Sequence, residues 1–541
     1  MLILSAYLLS LSHAALGHQK PMVTKTIPPE QIVWAGYGGN AQHTAQSAYT
    51  PSGYGAVNWS ATIDANPPMS GSDIGAHYGE ASLTANTIVI PTRTSNGKYD
   101  FQARSISTGA ALWTYESDYR IEPYGYGWVP TVSGTLLPDG SFVGPRLGGG
   151  VFVRPHADQA IETTATYYPA GYPYGTSYYT QHYAQLAANV FIVTPMTPDS
   201  QGNVYFGIRV FSNAIGNLTS CFVKMSEAGV FTFYPCISGH YPTNNAAPAL
   251  SIDGTTVYGV ENVSGSWESH IIALNTTTMA KTADTILIDP MSGLNALAEP
   301  DATSSPLVAP DGDVYFGAYS NPWNEGNDRG WLLHYDKNLT QPVTAQKPFY
   351  PGAFGWDDTP SIVPSSLIPS YTGTSSYLLF CKYNDYADFG TQPGDNRVAI
   401  VDPNDSAIDR ITQVSVMKPV VSALGVTPDP TYDQQFPQAV REWCINSAAV
   451  DIPGKSIVLN SEDGSIYKFD LVTGELTSRL KLTDGIGEPY TPTIIAKDGT
   501  IFAVSKAKIY AVRARTLRVQ PTIVMNSTAG TSAKAVERTR R

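Results

Sequence analysis

Between residues 30 and 520 the apolar positions fall in short alternating runs broken by turn residues, which is the period of strands and not of helices. One unit recurs: a short apolar strand, an Asp-Gly turn, then a strand in which Val or Ile precedes Tyr or Phe. Its clearest copy is Ser305-Pro-Leu-Val-Ala-Pro-Asp311-Gly-Asp-Val-Tyr-Phe-Gly317, and Ala247 to Tyr258 and Thr491 to Phe502 repeat it. Looser versions lie at Pro130 to Val143, Pro195 to Phe206, Ser82 to Ile90, Ser361 to Phe380 and Ser447 to Leu459. Each interval holds one or two further strand-like runs, such as Gly330 to Asp336. Asp-Gly supplies the positive φ of a tight hairpin. Four short antiparallel strands, repeated about eight times, predict an all-β chain folded as a single β-propeller.

The second half of the unit adds a family likeness. Ala103-Arg-Ser105-Ile-Ser-Thr108-Gly109-Ala-Ala-Leu-Trp113 resembles the A-x-D-x-x-T-G-x-x-x-W repeat of the PQQ-like (quinoprotein alcohol dehydrogenase-like) β-propellers, with Ser105 where that family prefers Asp. Asp470-Leu-Val-Thr473-Gly474 is a second match with Ser478 in the Trp position, and Ala273-x-Asn275-x-x-Thr278 is a degenerate third. The opening Trp34 to His43, with Val57-Asn-Trp59, is also similar to the start of such proteins. The resemblance implies that the Trp packs between blades and that an early strand, here Ala56 to Ile63, completes the last blade and closes the ring. It also suggests a PQQ dehydrogenase, but the adjacent cysteines that stack on the quinone in many such enzymes are absent, as is a haem-attachment motif.

Only 14 % of residues are charged, and 45 acidic against 33 basic residues leave a net charge of −12, which argues against nucleic-acid binding. Residues 1–17 read as a signal peptide, an apolar run too short to span a bilayer and ending in small residues. No later run is long enough to span, so the reading is a secreted or periplasmic monomer with a propeller at 18–520 and a disordered tail at 521–541. Seven Asn-x-Ser/Thr sequons (Asn58, Asn217, Asn262, Asn275, Asn338, Asn404, Asn526) would be glycosylated in a eukaryotic secretory pathway. Cys221 and Cys236 flank an apparent hairpin turning near Glu227-Ala-Gly229 and are expected to form a disulfide; Cys381 and Cys444 pair only by elimination. Tyr167 to Tyr183, rich in Tyr, Pro and Gly, is expected to be a long loop over one face.

Candidate chemistry comes from the residues just before each innermost strand, which enter the central channel. His77-Tyr-Gly-Glu80, Glu299-Pro-Asp301, Trp356-Asp357-Asp358, Arg441-Glu442-Trp443 and Gly487-Glu488-Pro-Tyr490 place carboxylates near one mouth in five units. Three readings stay open. Glu299, Asp301, Asp357, Asp358 and Glu442 offer only oxygen ligands, so a bound metal would be Ca²⁺. Glu442 or Asp357 as base with Arg441 as electrostatic stabiliser would suit a cofactor-free or metal-assisted lyase, isomerase or cyclase. Trp356, Trp443, Tyr490, Trp128 and Tyr126, beside Glu80 and Glu488, would suit binding of a glycan, small metabolite or protein. Against all three stands a structural role, with the carboxylates accepting from backbone N–H groups of the next blade. No GxSxG, HExxH or P-loop occurs.

Overall fold

The structure is a computed structural model that describes residues 32–515 except 71–72, 75–76, 122–132, 161–164, 168–174, 212–215, 301, 341–353, 387–393, 433–434 and 487–490. The predicted signal peptide and C-terminal tail lie outside the described residues. Eight small sheets, each built on consecutive antiparallel strands, form a closed ring. The chain is an eight-bladed β-propeller.

From blade 1 to blade 8 the inner repeat strands are Ser82–Thr84, Thr135–Leu136, Thr197–Pro198, Ala249–Leu250, Leu307–Val308, Ser361–Pro364, Ala449–Asp451 and Ile494–Ile495. In blades 2, 4, 5 and 8 the inner strand turns back through an Asp-Gly pair; the other four blades use different turns. In blade 5 the Asp311 Oδ1 accepts from Asp313 N at 3.1 Å and Gly312 has φ +94°, a conformation that disfavours a side chain. The Asp of the second motif acts alike, Asp470 Oδ1 accepting from Val472 N and Thr473 N at 2.9 and 3.1 Å. Trp113 packs between blades as expected: its Nε1 donates to Ala157 O of blade 2 at 2.8 Å and the Arg154 guanidinium lies 4.5 Å over its ring. Ala56–Thr62 pairs antiparallel with Lys508–Arg513 and completes blade 8, so the first part of the chain closes the ring.

The channel is not empty. Residues 32–52 run around its axis and touch the inner strands almost in ring order. Ile32–Trp34 pairs with blade 1, and Ala35 O accepts from Leu136 N of blade 2 at 2.8 Å. Ala41 O, Gln42 O, Thr44 O and Ala45 O then accept from Leu250, Val308, Ile362 and Val450 of blades 4 to 7 at 2.7–3.1 Å, and Ser52 N donates to Gly499 O of blade 8 at 2.8 Å. His43 Nε2 reaches Thr197 Oγ1 of blade 3 at 3.3 Å. The Tyr37 hydroxyl lies 2.7–2.8 Å from Thr303 O, Thr359 Oγ1 and Asn446 Oδ1, the entry residues of blades 5, 6 and 7. These inner strands are two to four residues long, so the axial segment satisfies backbone groups that they cannot pair among themselves.

Three expectations need correction. The four cysteines are buried and none is in a disulfide among the described residues. Cys221 stands opposite Pro235, and Cys236 is therefore one position out of step; its neighbours are Tyr205, Phe222 and Tyr234, whereas Cys221 packs with Ile208, Val223 and Met225 on the other face. Side chains on opposite faces of a sheet cannot bridge. The Tyr-rich segment is not one loop: Ala165–Tyr167 is the fourth strand of blade 2, and two short helices, Gly175–Gln181 and Tyr183–Asn189, follow where Pro is absent. Tyr179 and Leu186 bury against the Leu147–Gly149 turn, on the face that the inner strands enter. Among the sequons, Asn262 is buried and its Nδ2 donates to Ala298 O at 3.0 Å, which leaves no room for a glycan. No helix among the described residues is long and apolar enough to cross a membrane.

Candidate functional site

The inner strand of blade 6 begins at Ser361, so Trp356, Asp357 and Asp358 stand at the channel entrance. Asp357 is fully buried and its carboxylate contacts the ammonium of Lys382, itself only 2 % exposed, from the end of the second strand Tyr377–Tyr383. Burial opposes the Lys382 charge, but Asp357 and its neighbours outweigh burial and raise its pKa. Asp358 Oδ2 accepts from Lys382 N at 3.1 Å, while its Oδ1 is buried without a hydrogen-bond partner among the described residues. Burial pushes the Asp358 carboxyl well above the usual range, with Lys382 acting in the opposite sense and Asp357 adding to the rise. His77, from blade 1, is buried, and burial together with the Lys382 charge holds its imidazole well below its ordinary pKa. The entrance floor is therefore one Lys–Asp pair, a second carboxyl favoured as the neutral acid, and a neutral imidazole.

Above this floor lie partly exposed groups. The Tyr386 phenol is raised by burial, opposed by Lys382, and then raised further by Glu442 and Asp357, which places all three around it. Asn384 ties the set together, donating to Trp443 O at 3.1 Å and accepting from Trp443 N at 3.2 Å. Trp356 has its ring 6.0 Å from Lys382 Nζ and meets Tyr319 edge-on with centroids 4.7 Å apart; Tyr319 in turn stacks on Trp267 at 6.3 Å. Trp267 is 39 % exposed. Burial, Asp328, Glu299 and Asp357 raise the Tyr319 phenol, so Glu299 also faces this track. Three aromatic rings thus lead from the buried pair outward over blades 6, 5 and 4.

The remaining sequence candidates are held by other contacts. Trp443 is fully buried, its Nε1 on Asn396 O at 3.2 Å and its ring against Tyr467. Glu80 faces the axial segment, accepting from Trp34 Nε1 at 2.5 Å and Gly38 N at 2.8 Å; burial lifts it to about 8 against those hydrogen bonds. Arg441 is engaged by Glu462 at 3.2 Å and Asp429 at 3.4 Å. Glu442, Cys444 and Glu462 bring ligand-type atoms within 4.8 Å of one another, but Arg441 already bonds Glu462. Tyr126, Trp128, Asp301, Glu488 and Tyr490 lie outside the described residues. Sequence reading missed Lys382, Tyr386, Tyr319 and Trp267. A lysine in the apolar run Leu378-Leu-Phe-Cys-Lys382 was the available signal for the first.

Comparison with protein-family models gives no match, and none is found among curated proteins. Among solved structures the chain is similar to the quinohemoprotein alcohol dehydrogenase of Comamonas testosteroni, at 11 % identity and TM-score 0.49 over 94 % of this chain and 83 % of that one. It is also similar to a europium-containing methanol dehydrogenase, at 9 % identity and TM-score 0.48 over 88 % and 89 %. Likenesses of this size say nothing about cofactor or substrate. Neither suggested group fits the residues present. For Ca²⁺, the Lys382 ammonium already sits against Asp357, where the ion would have to stand. A quinone bearing several carboxylates would meet Glu299 and Glu442, while the cations Lys382 and Arg441 are each paired.

Proposed function

We propose that the chain is a secreted binding propeller whose channel mouth takes a neutral glycan. The observation that carries this reading is the aromatic track from Trp356 through Tyr319 to Trp267, flanked by the carboxylate Glu299, with Glu442 beside Tyr386 at the same entrance. Aromatic faces pack against the C–H face of a pyranose, and carboxylates accept from its hydroxyls. An acidic mouth disfavours acidic sugars. Binding is favoured over turnover because the residues expected to do chemistry are already engaged: Asp357 by Lys382, and Arg441 by Glu462 and Asp429.

Calorimetric titration with a panel of neutral and acidic oligosaccharides tests this, run beside Trp267→Ala. Neutral members are expected to bind and to weaken at least tenfold in the variant, with acidic members weaker throughout. Absence of glycan binding, or equal affinity in Trp267→Ala, would contradict the reading.

A further inference from the structure

In blade 6 the third and fourth strands, Arg397–Ile408 and Ser415–Leu424, pair from Arg397↔Leu424 out to Ile408↔Ser415, with register shifts at Ile400/Val401 and Asp402/Ser406. The tip of this hairpin returns to the mouth face. Asp409 receives Arg329 of blade 5 through two hydrogen bonds of 2.9 and 3.3 Å, and Arg410 contacts Asp385 at the end of the second strand. Between the hairpin and the segments Tyr383–Asp385 and Asp395–Arg397 lies a cleft of about 220 Å³, open to solvent, smaller than the pockets of drug-sized ligands and so suited to a molecule of only a few heavy atoms.

Three arginines and three aspartates line it. Arg329 is buried and occupied by Asp409, and Arg410 by Asp385. Arg397, partly buried, makes no side-chain ion pair or hydrogen bond among the described residues. Asp395 has a side chain 32 % exposed and only a 3.8 Å approach from Arg410. Strand alternation explains the placement: Asn396 turns inward, its Nδ2 on Val440 O at 2.8 Å and its Oδ1 on Asp385 N at 3.0 Å, so its two neighbours project to the other side. A guanidinium and a carboxylate thus stand side by side on one cleft, unpaired with each other. Tyr383, Ile408, Ile411, Val416 and Pro419 supply apolar wall.

We propose that this cleft binds a small zwitterion of the α-amino-acid type, its carboxylate on Arg397 and its ammonium on Asp395. The planar guanidinium matches a carboxylate at two points. Balanced charge in the lining leaves no surplus for a dianion such as phosphate, and the apolar wall suits an aliphatic side chain. This proposal does not rest on the glycan reading of the mouth.

The test is calorimetric titration of the full chain with L-leucine, with leucinamide, which lacks the carboxylate, and with isocaproate, which lacks the ammonium. Leucine is expected to bind, and each derivative to bind at least tenfold more weakly. Arg397→Gln and Asp395→Asn are each expected to lose leucine while neutral-glycan binding and the melting midpoint stay unchanged. Should Arg397→Gln fold poorly, Arg397→Lys keeps the charge without the two-point geometry and is expected to weaken leucine severalfold. The proposal is overturned if leucine does not bind, if isocaproate binds as well as leucine, or if the variants bind it unchanged.

Discussion

Removing one member of the Asp357–Lys382 pair leaves the other charge buried alone, which costs about 3–5 kcal/mol in comparable pairs. Asp357→Asn and Lys382→Met should each lower the denaturant midpoint strongly, whereas the double variant Asp357→Leu/Lys382→Met should recover most of the loss. Equal destabilisation in all three would show that the pair is not isolated from water as described. Glu80 makes a different prediction. Its folded pKa, raised from 4.5 to about 8 by burial, means that the folded state holds a proton the unfolded state has released. Its contribution is therefore fully present below the unfolded value and declines as pH rises to about 8. Unfolding free energies measured across that window should fall with pH in the native protein and flatten in Glu80→Gln; an unchanged slope would contradict the buried, neutral carboxyl. His43 acts in the opposite sense: burial lowers it to about 4 against a hydrogen bond to Pro306, so its share is lost as pH drops below the ordinary histidine range. Acidic residues before the inner strands were legible as a set, because each precedes a recognisable repeat. Their separate roles, with Glu80 facing the axis and Asp357 facing a lysine, depended on partners distant in the chain.

At the scale of elements, the axial segment 32–52 holds the inner strands in place. Gly38 has φ +59°, and a Cβ there would stand 2.5 Å from the His43 Cα. Gly38→Ala should therefore destabilise more than Tyr37→Phe, for which about 1–3 kcal/mol is expected from the stranded buried acceptors. Urea unfolding of the two variants decides this, and the reverse order would mean that the segment is loosely held. The unbridged cysteines give a simpler check: denatured but unreduced protein should titrate four free thiols. A count of two would restore a disulfide. Turns were read correctly because Asp-Gly carries its conformation locally. The course of residues 32–52 was not legible, since its partners are backbone groups of successive blades and leave no side-chain pattern. Cys221 and Cys236 show the limit of register: the hairpin was evident, but one position of stagger separates a bridge from two thiols on opposite faces.

For the whole molecule, blade number followed from repetition, because each unit is nearly sufficient to specify its own blade, whereas ring closure by the strand at Ala56 was implied only by the family resemblance. The mouth was found from that geometry, but only along the entries to the inner strands. Trp267 and Tyr319 come instead from the turns after the second strands of blades 4 and 5, Thr256–Val263 and Val314–Ala318, which reach the same face. Lys382 ends the corresponding strand of blade 6. Reading both sets of loops together would have assembled the track. The most direct measurement is hydrogen–deuterium exchange of the full chain with and without a bound neutral oligosaccharide. Protection should appear together at the turns carrying Trp267, Tyr319 and Trp356 and at the end of the strand carrying Lys382, and leave the Asp395–Arg397 cleft unchanged. Protection confined to other segments, or none at saturating ligand, would contradict a glycan site at the channel mouth.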